Sequence, residues 1–203
     1  MPQNTGVQIR LTTFALSEKE STIVLDKSEN FIRERTGKFV YGTGDDSIER
    51  VVGKLLLDRN LTLSAAESCT GGLVAHKITN VSGSSAYFDR SVVTYSNQAK
   101  IENLNVSEEI IQTYGAVSGE TAIAMAEGVK RLSGTDIGIS VTGIAGPSGG
   151  TSEKPVGLVF IGYADKTQSI FEEYRFLRDR QWNRERSAIA VLDLVRRILL
   201  DLI

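Results

Sequence analysis

The stretch from Leu61 to Thr79 limits the possible folds of this chain most strongly. An apolar run over 61–66 leads into Glu67-Ser68-Cys69-Thr70-Gly71-Gly72, and an amphipathic run over 73–79 follows. That order reads as strand, tight polar turn and helix. A side chain at such a turn lies beside free backbone N–H groups and the positive end of a helix dipole. Two glycines let another molecule approach the main chain closely. The turn therefore suits a serine or cysteine nucleophile with an adjacent anion or oxyanion site. It equally suits a plain helix cap from Ser68 or Thr70, since both residue types are common N-caps.

The flanking segments decide what that unit can join. Residues 7–13 alternate like a half-buried strand, and Ser17 with Glu20 forms a capping-box pattern that starts a helix to about Arg35. That helix would turn Ile23, Leu25 and Ile32 partly inward. Residues 38–41 read as a short strand. Two strands and one helix make a poor independent core, so residues 1–43 are expected to be a small α/β appendage. The polar, glycine-containing segment 42–46 is the boundary, with Asp45 or Asp46 capping the next helix. Residues 44–203 then form the main domain.

Within that domain, Ile48, Val51, Val52, Leu55 and Leu56 recur at helical spacing. A strand is expected over 91–96, and short helices begin near Asn97 and Ser107. A longer helix opens at Ser118. Residues 135–141 read as a buried strand, and 156–163 with 168–176 as a hairpin. A last helix runs over 180–202. Strands alternating with helices before a hairpin imply a three-layer α/β/α fold with a mixed sheet. In such sheets ligands gather at the carboxyl ends of the strands. A second glycine-rich loop, 142–150, also follows a strand, so the two loops can converge on one site.

Bulk properties narrow the function classes. Net charge is −2, which argues against a general nucleic-acid binder. The one cysteine, Cys69, excludes an intrachain disulfide framework and a cysteine-cluster metal site. No signal peptide or membrane-length apolar run is visible, so a cytoplasmic location is expected. The single histidine, His76, lies eight residues after Ser68 in the same expected helix and cannot easily reach back to the turn. A nucleophile here would need a lysine, tyrosine or carboxylate as base. Lys100 is the best candidate, lying just past an expected strand end near Tyr95 and Asn97. Burial away from carboxylates would lower its pKa as a base requires; an exposed lysine on a short helix is the plain alternative. The 143–150 loop offers N–H groups with little side-chain bulk, suited to ribose or phosphate, or to a purely structural loop. It lacks the Walker ending and the dinucleotide glycine spacing. Lys154 and the arginines within 175–186 could add positive charge.

Several ordered motifs carry a resemblance. They are Ala66-Glu-Ser-Cys-Thr-Gly-Gly72, Gly83-Ser-Ser85, Val93-Thr-Tyr-Ser-Asn97 with Lys100, Gly115-Ala-Val-Ser118, and Thr142-Gly-Ile-Ala-Gly-Pro147 through Gly149-Gly150 to Lys154-Pro-Val-Gly157. Together they resemble the CinA carboxy-terminal domain, the nicotinamide-nucleotide amidase family, over about residues 46–201. Residues 7–42 resemble the end of the middle domain of full-length CinA proteins, whose first domain has no counterpart here. The resemblance implies a metal-independent amidohydrolase with no cofactor. Ser68 matches the nucleophile, Lys100 the general base and Tyr95 a tyrosine near the pair. The implied reaction converts nicotinamide mononucleotide to nicotinate mononucleotide and ammonia. Thr70, Gly71 and Gly72 are expected to form the oxyanion turn. Gly143, Ile144, Ala145, Gly146, Gly149 and Gly150 are assigned to the substrate by their chemistry. The expected partner is a small-molecule pyridine nucleotide, with no membrane or nucleic acid, and a homo-oligomer is expected. The alternative is a non-catalytic nucleotide-binding or competence- and damage-related interaction module.

Overall fold

A computed structural model describes residues 2–3, 6–14 and 17–203. The main sheet has five strands: β3 (Leu63–Glu67), β4 (Phe88–Val93), β5 (Ile137–Gly143), β6 (Leu158–Ala164) and β7 (Ser169–Arg175), in the order β4-β3-β5-β6-β7. β3 runs parallel to both neighbours, while β5–β6 and β6–β7 are antiparallel. The sheet is therefore mixed, and the 164–169 connection closes the expected hairpin. Helices α2 (Ile48–Asp58), α3 (Leu73–Thr79) and α7 (Arg180–Leu199) pack together on one face. On the other face α6 (Gly119–Ser133) covers the sheet, with α4 (Asn97–Leu104) and α5 (Glu108–Tyr114) packed against it. This is the three-layer α/β/α architecture.

Side-chain alternation explains the layering. Leu63, Ala65, Ile137, Ile139 and Val141 point into one core with Val52, Leu56, Val74, Val191 and Leu192. The opposite face of the central strands carries small residues, including Ser64, Ala66, Gly138, Ser140 and Gly162. They let the α6 backbone come close. A Cβ on Gly138 would sit 2.1 Å from the Ala126 carbonyl, and one on Gly162 2.4 Å from that of Ala122. Ser140 Oγ donates to the same Ala122 carbonyl at 2.6 Å. Any side chain at Gly138 or Gly162 would push α6 off the sheet.

Two expected strand limits shift. β4 ends at Val93 rather than Ser96, because β3, the strand it pairs with, ends opposite at Glu67. β3 itself starts at Leu63; Thr62 instead donates its N–H and hydroxyl to the Asp136 carboxylate, at 2.8 and 2.7 Å. The α2 cap also moves: Ser47 accepts from the Arg50 N–H, and Asp46 accepts from the Thr43 N–H instead.

The amino-terminal segment departs furthest from expectation. The expected strand over 7–13 is reduced to a two-residue pairing of β1 (Pro2–Gln3) with β2 (Gly6–Val7). The expected strand over 38–41 is a 3-10 turn at Gly37–Phe39 followed by irregular chain. Neither stretch joins the five-stranded sheet. The helix α1 (Glu18–Thr36) does form, with Ser17 Oγ accepting from the Glu20 N–H at 3.2 Å, but it buries no residue. Leu25 and Ile32 are half-buried and Ile23 is exposed. The segment is tied down at its end. Buried Arg196 on α7 donates to the Lys38 carbonyl at 2.6 Å, and Tyr41 packs on the main core. No helix among the described residues is long and apolar enough to cross a membrane.

Candidate active site

The three parallel strands β4, β3 and β5 end on one edge of the sheet, and their following loops meet there. β3 ends at Glu67, so Ser68 is the first residue of the turn. Its N–H donates to the Val141 carbonyl at 2.9 Å, which fixes the turn against β5. β4 ends at Val93, the Thr94 N–H donates to the Glu67 carbonyl at 2.8 Å, and the chain passes through Tyr95 into α4. Ser96 caps that helix by accepting from the Ala99 N–H. Helical spacing then turns Lys100 and Leu104 inward together.

Lys100 Nζ lies 3.2 Å from Ser68 Oγ. It also donates to the Thr94 carbonyl at 2.9 Å and approaches that of Tyr95 at 3.5 Å. Lys100 is 1% exposed, and this burial lowers its pKa from the usual lysine range. No carboxylate pairs with its ammonium among the described residues. Glu102, two residues on, accepts instead from Gln98 at 2.7 Å on the outer face of α4. Burial without a counter-ion favours the neutral amine, while the acceptors around Nζ fix its position.

Cys69 is buried, and desolvation pushes its thiol up to about 12. Its sulfur stays protonated near neutrality and is a poor nucleophile there. His76 is exposed, with Nε2 3.3 Å from the Asn80 side-chain amide, on the outer side of α3.

The start of α3 differs from both readings of the turn. Neither Ser68 nor Thr70 caps the helix. The N-cap is Gly72, at φ +96°, with no side-chain cap bond of its own. The carboxylate of Glu67, fully buried, fills that role from the end of β3. It accepts the N–H groups of Gly72 at 2.8 Å, Val74 at 3.1 Å and Ala75 at 2.9 Å, and the Ser91 hydroxyl at 2.9 Å. The positive end of α3 therefore faces an internal anion rather than a ligand. The Gly71 N–H donates to the Ser68 carbonyl at 3.1 Å. Of Thr70, Gly71 and Gly72, only Thr70 has an N–H without a hydrogen bond among the described residues.

The second loop is split in character. Gly143 and Ile144 are held by β6: the Ile144 N–H donates to the Leu158 carbonyl at 2.9 Å and its carbonyl accepts from Gly157 at 2.7 Å. Ala145 is buried, and its carbonyl accepts from Asn183 at 3.1 Å. The Gly146 carbonyl accepts from Arg180 at 2.8 Å. Gly149, at φ +89°, and Gly150 are exposed. Arg180 also donates to the Tyr95 hydroxyl at 3.1 Å, joining the loops after β4 and β5. The Tyr95 hydroxyl thus sits on Arg180, while its carbonyl is the part that faces Lys100. Arg184, one turn further along α7, donates to the Thr70 carbonyl through Nε at 3.2 Å and an Nη at 2.6 Å. Lys154 donates to the carbonyls of Tyr114 and Val117, at 2.6 and 2.8 Å, and so pins the 151–156 segment to the α5–α6 connection.

Lys100, Lys154, Arg180 and Arg184 share one property: none belongs to an ion pair among the described residues. Lys77 with Glu185 and Arg197 with Glu172, by contrast, are paired. No three His, Cys, Asp or Glu side chains gather as a metal site among the described residues.

Sequence reasoning left Glu67 without a role. Its signal was available: a carboxylate closing an expected strand, six positions before a helix whose N-cap is a glycine. Arg180 and Arg184 were legible only as members of a basic stretch.

The fold and site define a three-layer α/β protein with a buried serine–lysine pair at the carboxyl ends of its parallel strands. The chain belongs to the CinA family, and the CinA C-terminal domain matches residues 45–199. It is 47% identical over 194 residues to a CinA-like protein of Dictyoglomus turgidum, covering 96% of this chain and 47% of that protein. A CinA-like protein of Kosmotoga olearia is 47% identical over 197 residues, covering 97% and 48%. The chain thus spans about half the length of the curated relatives it matches. Among solved structures, a CinA superfamily protein from Klebsiella pneumoniae superposes with a TM-score of 0.74 at 30% identity, covering 76% of this chain and 96% of that one. The competence/damage inducible protein CihA from Agrobacterium tumefaciens gives 0.70 at 39% identity, covering 75% and 96%.

Proposed function

We propose that this protein is a serine–lysine amidohydrolase that converts nicotinamide mononucleotide to nicotinate mononucleotide and ammonia. The observation that carries the reading is the unpaired, buried Lys100 amine 3.2 Å from the Ser68 hydroxyl. Neutral Lys100 takes the hydroxyl proton as Ser68 Oγ attacks the carboxamide carbon. The N–H groups of Cys69 and Thr70 are the turn's available donors for the oxyanion, and one such donor is worth about 3 kcal/mol in the transition state. Protonated Lys100 returns its proton to the departing ammonia, which leaves an ester on Ser68. Water, activated by the same amine, then releases the acid and restores the hydroxyl.

The unpaired cations support an anionic substrate. Arg180 and Arg184 keep N–H donors beyond those bonded to neutral acceptors; Arg184 borders the turn that carries Ser68, and Arg180 joins the loops after β4 and β5. In this reading they take the phosphate, and the exposed Gly149–Gly150 backbone lies against ribose. Tyr95 contributes through its hydrogen bond to Arg180.

Ammonia release from a panel of pyridine nucleotides tests the proposal. Nicotinamide mononucleotide is expected to turn over, and nicotinamide riboside, which lacks the phosphate, to be much poorer. Saturable nucleotide binding without any acid product would instead favour a non-catalytic binding module.

A further inference from the structure

Glu67 stands out as a buried charge that the reaction above does not use. It has no cationic partner among the described residues; its four hydrogen-bond donors are neutral. A fully buried carboxylate is expensive unless its oxygens are saturated, and here each oxygen receives two hydrogen bonds. The arrangement also has a direction. Three donors come from the far side of the Ser68 turn, and the fourth, Ser91, lies on β4, two residues before its end. The backbone of Glu67 adds a further link through the Thr94 N–H, and the Thr94 carbonyl holds Lys100. One residue thus ties the nucleophile's turn, the start of α3 and the strand that delivers the base.

We propose that Glu67 is a positioning residue for the Ser68–Lys100 pair. It closes the 68–72 turn around its own carboxylate, which keeps Ser68 Oγ on Lys100. It takes the N–H groups of Gly72, Val74 and Ala75, while those of Cys69 and Thr70 stay available for the oxyanion. Displacing a reacting group by about 1 Å can cost on the order of 10²-fold in rate. Glu67→Gln keeps the shape but turns an NH₂ group toward N–H donors, so it cannot satisfy the same four partners. Ser91→Ala removes one donor and leaves the other three.

This inference rests on the Ser68–Lys100 reading, so the test uses a probe that needs no nucleotide recognition. A small fluorophosphonate reacts with an activated serine: the Ser68 Oγ–P bond forms, the P–F bond breaks, fluoride leaves and the hydroxyl proton passes to Lys100. Labelling rates are followed by intact mass on the full chain. Affinity for nicotinate mononucleotide, the product of the proposed reaction and so not consumed by it, is measured by calorimetry, and cooperative unfolding confirms the fold. Glu67→Gln is expected to label about 10²-fold more slowly, with the nucleotide Kd within about twofold of wild type. Ser91→Ala, which keeps the core intact, is expected to slow labelling several-fold with the same Kd. Wild-type labelling rates in folded Glu67→Gln overturn the proposal, as does an equal loss of labelling and of nucleotide affinity. If Glu67→Gln does not fold, a wild-type labelling rate in Ser91→Ala overturns it. A wild-type protein that neither labels at Ser68 nor releases ammonia overturns the serine–lysine reading itself.

Discussion

The two glycine-rich turns leave neighbouring parallel strands on the same edge of the sheet, yet they are built differently. The 67–72 turn is closed on itself. Its carboxylate, three of its N–H groups and its Thr70 carbonyl are all engaged, and Ser68 is only 7% exposed. The 143–150 loop is anchored at its first four residues by β6, Asn183 and Arg180, and is exposed from Pro147 onward. Glycine serves different ends in the two. At Gly72 it allows the positive φ from which α3 starts; at Gly149 it allows a positive φ on an exposed loop tip, and at Gly150 it leaves room for the Val156 backbone, 2.7 Å from where a Cβ would sit. Rigid closure suits a group that must meet a base at hydrogen-bond distance. An anchored loop with an open tip suits contact with parts of a ligand remote from the chemistry.

That contrast orders the expected effects of substitution. The largest belong to the first turn and its base. Lys100→Arg keeps a cation but cannot supply a neutral amine, so ammonia release should fall by at least about 10³-fold. Retained activity in Lys100→Arg would show that Lys100 is not the base. The same group sets the pH dependence. Protonated Lys100 cannot accept the serine proton, so kcat/KM should rise with pH through the Lys100 pKa and then level off. Because burial has lowered that pKa, the midpoint should lie below the usual lysine range. A rise centred at or above that range would break the link between burial and basicity.

Intermediate effects belong to the bridge between the loops. Arg180→Ala removes the contacts to Gly146 and Tyr95 and one unpaired cation. It should raise KM by about 10-fold or more, with a smaller change in kcat, since losing a charge-assisted hydrogen bond costs about 1.5–3 kcal/mol. A fall in kcat at constant KM would move Arg180 from binding to chemistry. Gly149→Ala must adopt a left-handed φ, at about 1–2 kcal/mol, and should raise KM only a few-fold. The smallest effect is expected at Cys69. Cys69→Ala should keep activity within a few-fold, and the wild-type thiol should resist alkylation at neutral pH in the folded protein. Rapid alkylation with loss of activity would place the sulfur at the reacting centre.

How far the sequence alone foretold this structure depended on where each signal resides. Some helix starts were readable because their caps are local: Ser17, Ser107 and Ser118 accept a backbone N–H at the starts expected from sequence, whereas α2 is capped by Ser47 rather than Asp45 or Asp46, and α3 from Glu67 rather than Ser68 or Thr70. Strand ends were less readable, since β4 stops where β3 stops and no local feature marks Val93. The strand readings over 7–13 and 38–41 misled for the same reason: neither stretch lies beside the main sheet, and only Val7 of them joins a two-residue pairing. In the site, the pairing of Ser68 with Lys100 came from motif resemblance, because 32 positions of chain separate the two residues. The role of Glu67 depends on three donors that exist only once the turn has closed, so its identity as an internal cap was hidden in a motif read for its serine. The convergence of the two loops, by contrast, followed from strand order alone.

The central claim is that Ser68, activated by a neutral Lys100, is the nucleophile of a carboxamide hydrolysis. The most direct measurement is ammonia release from nicotinamide mononucleotide by wild-type protein and Ser68→Ala, side by side at a pH above the Lys100 midpoint. The account predicts turnover to nicotinate mononucleotide by wild type and a loss of at least about 10³-fold in Ser68→Ala, with nucleotide still bound. Wild-type turnover retained in Ser68→Ala would contradict it.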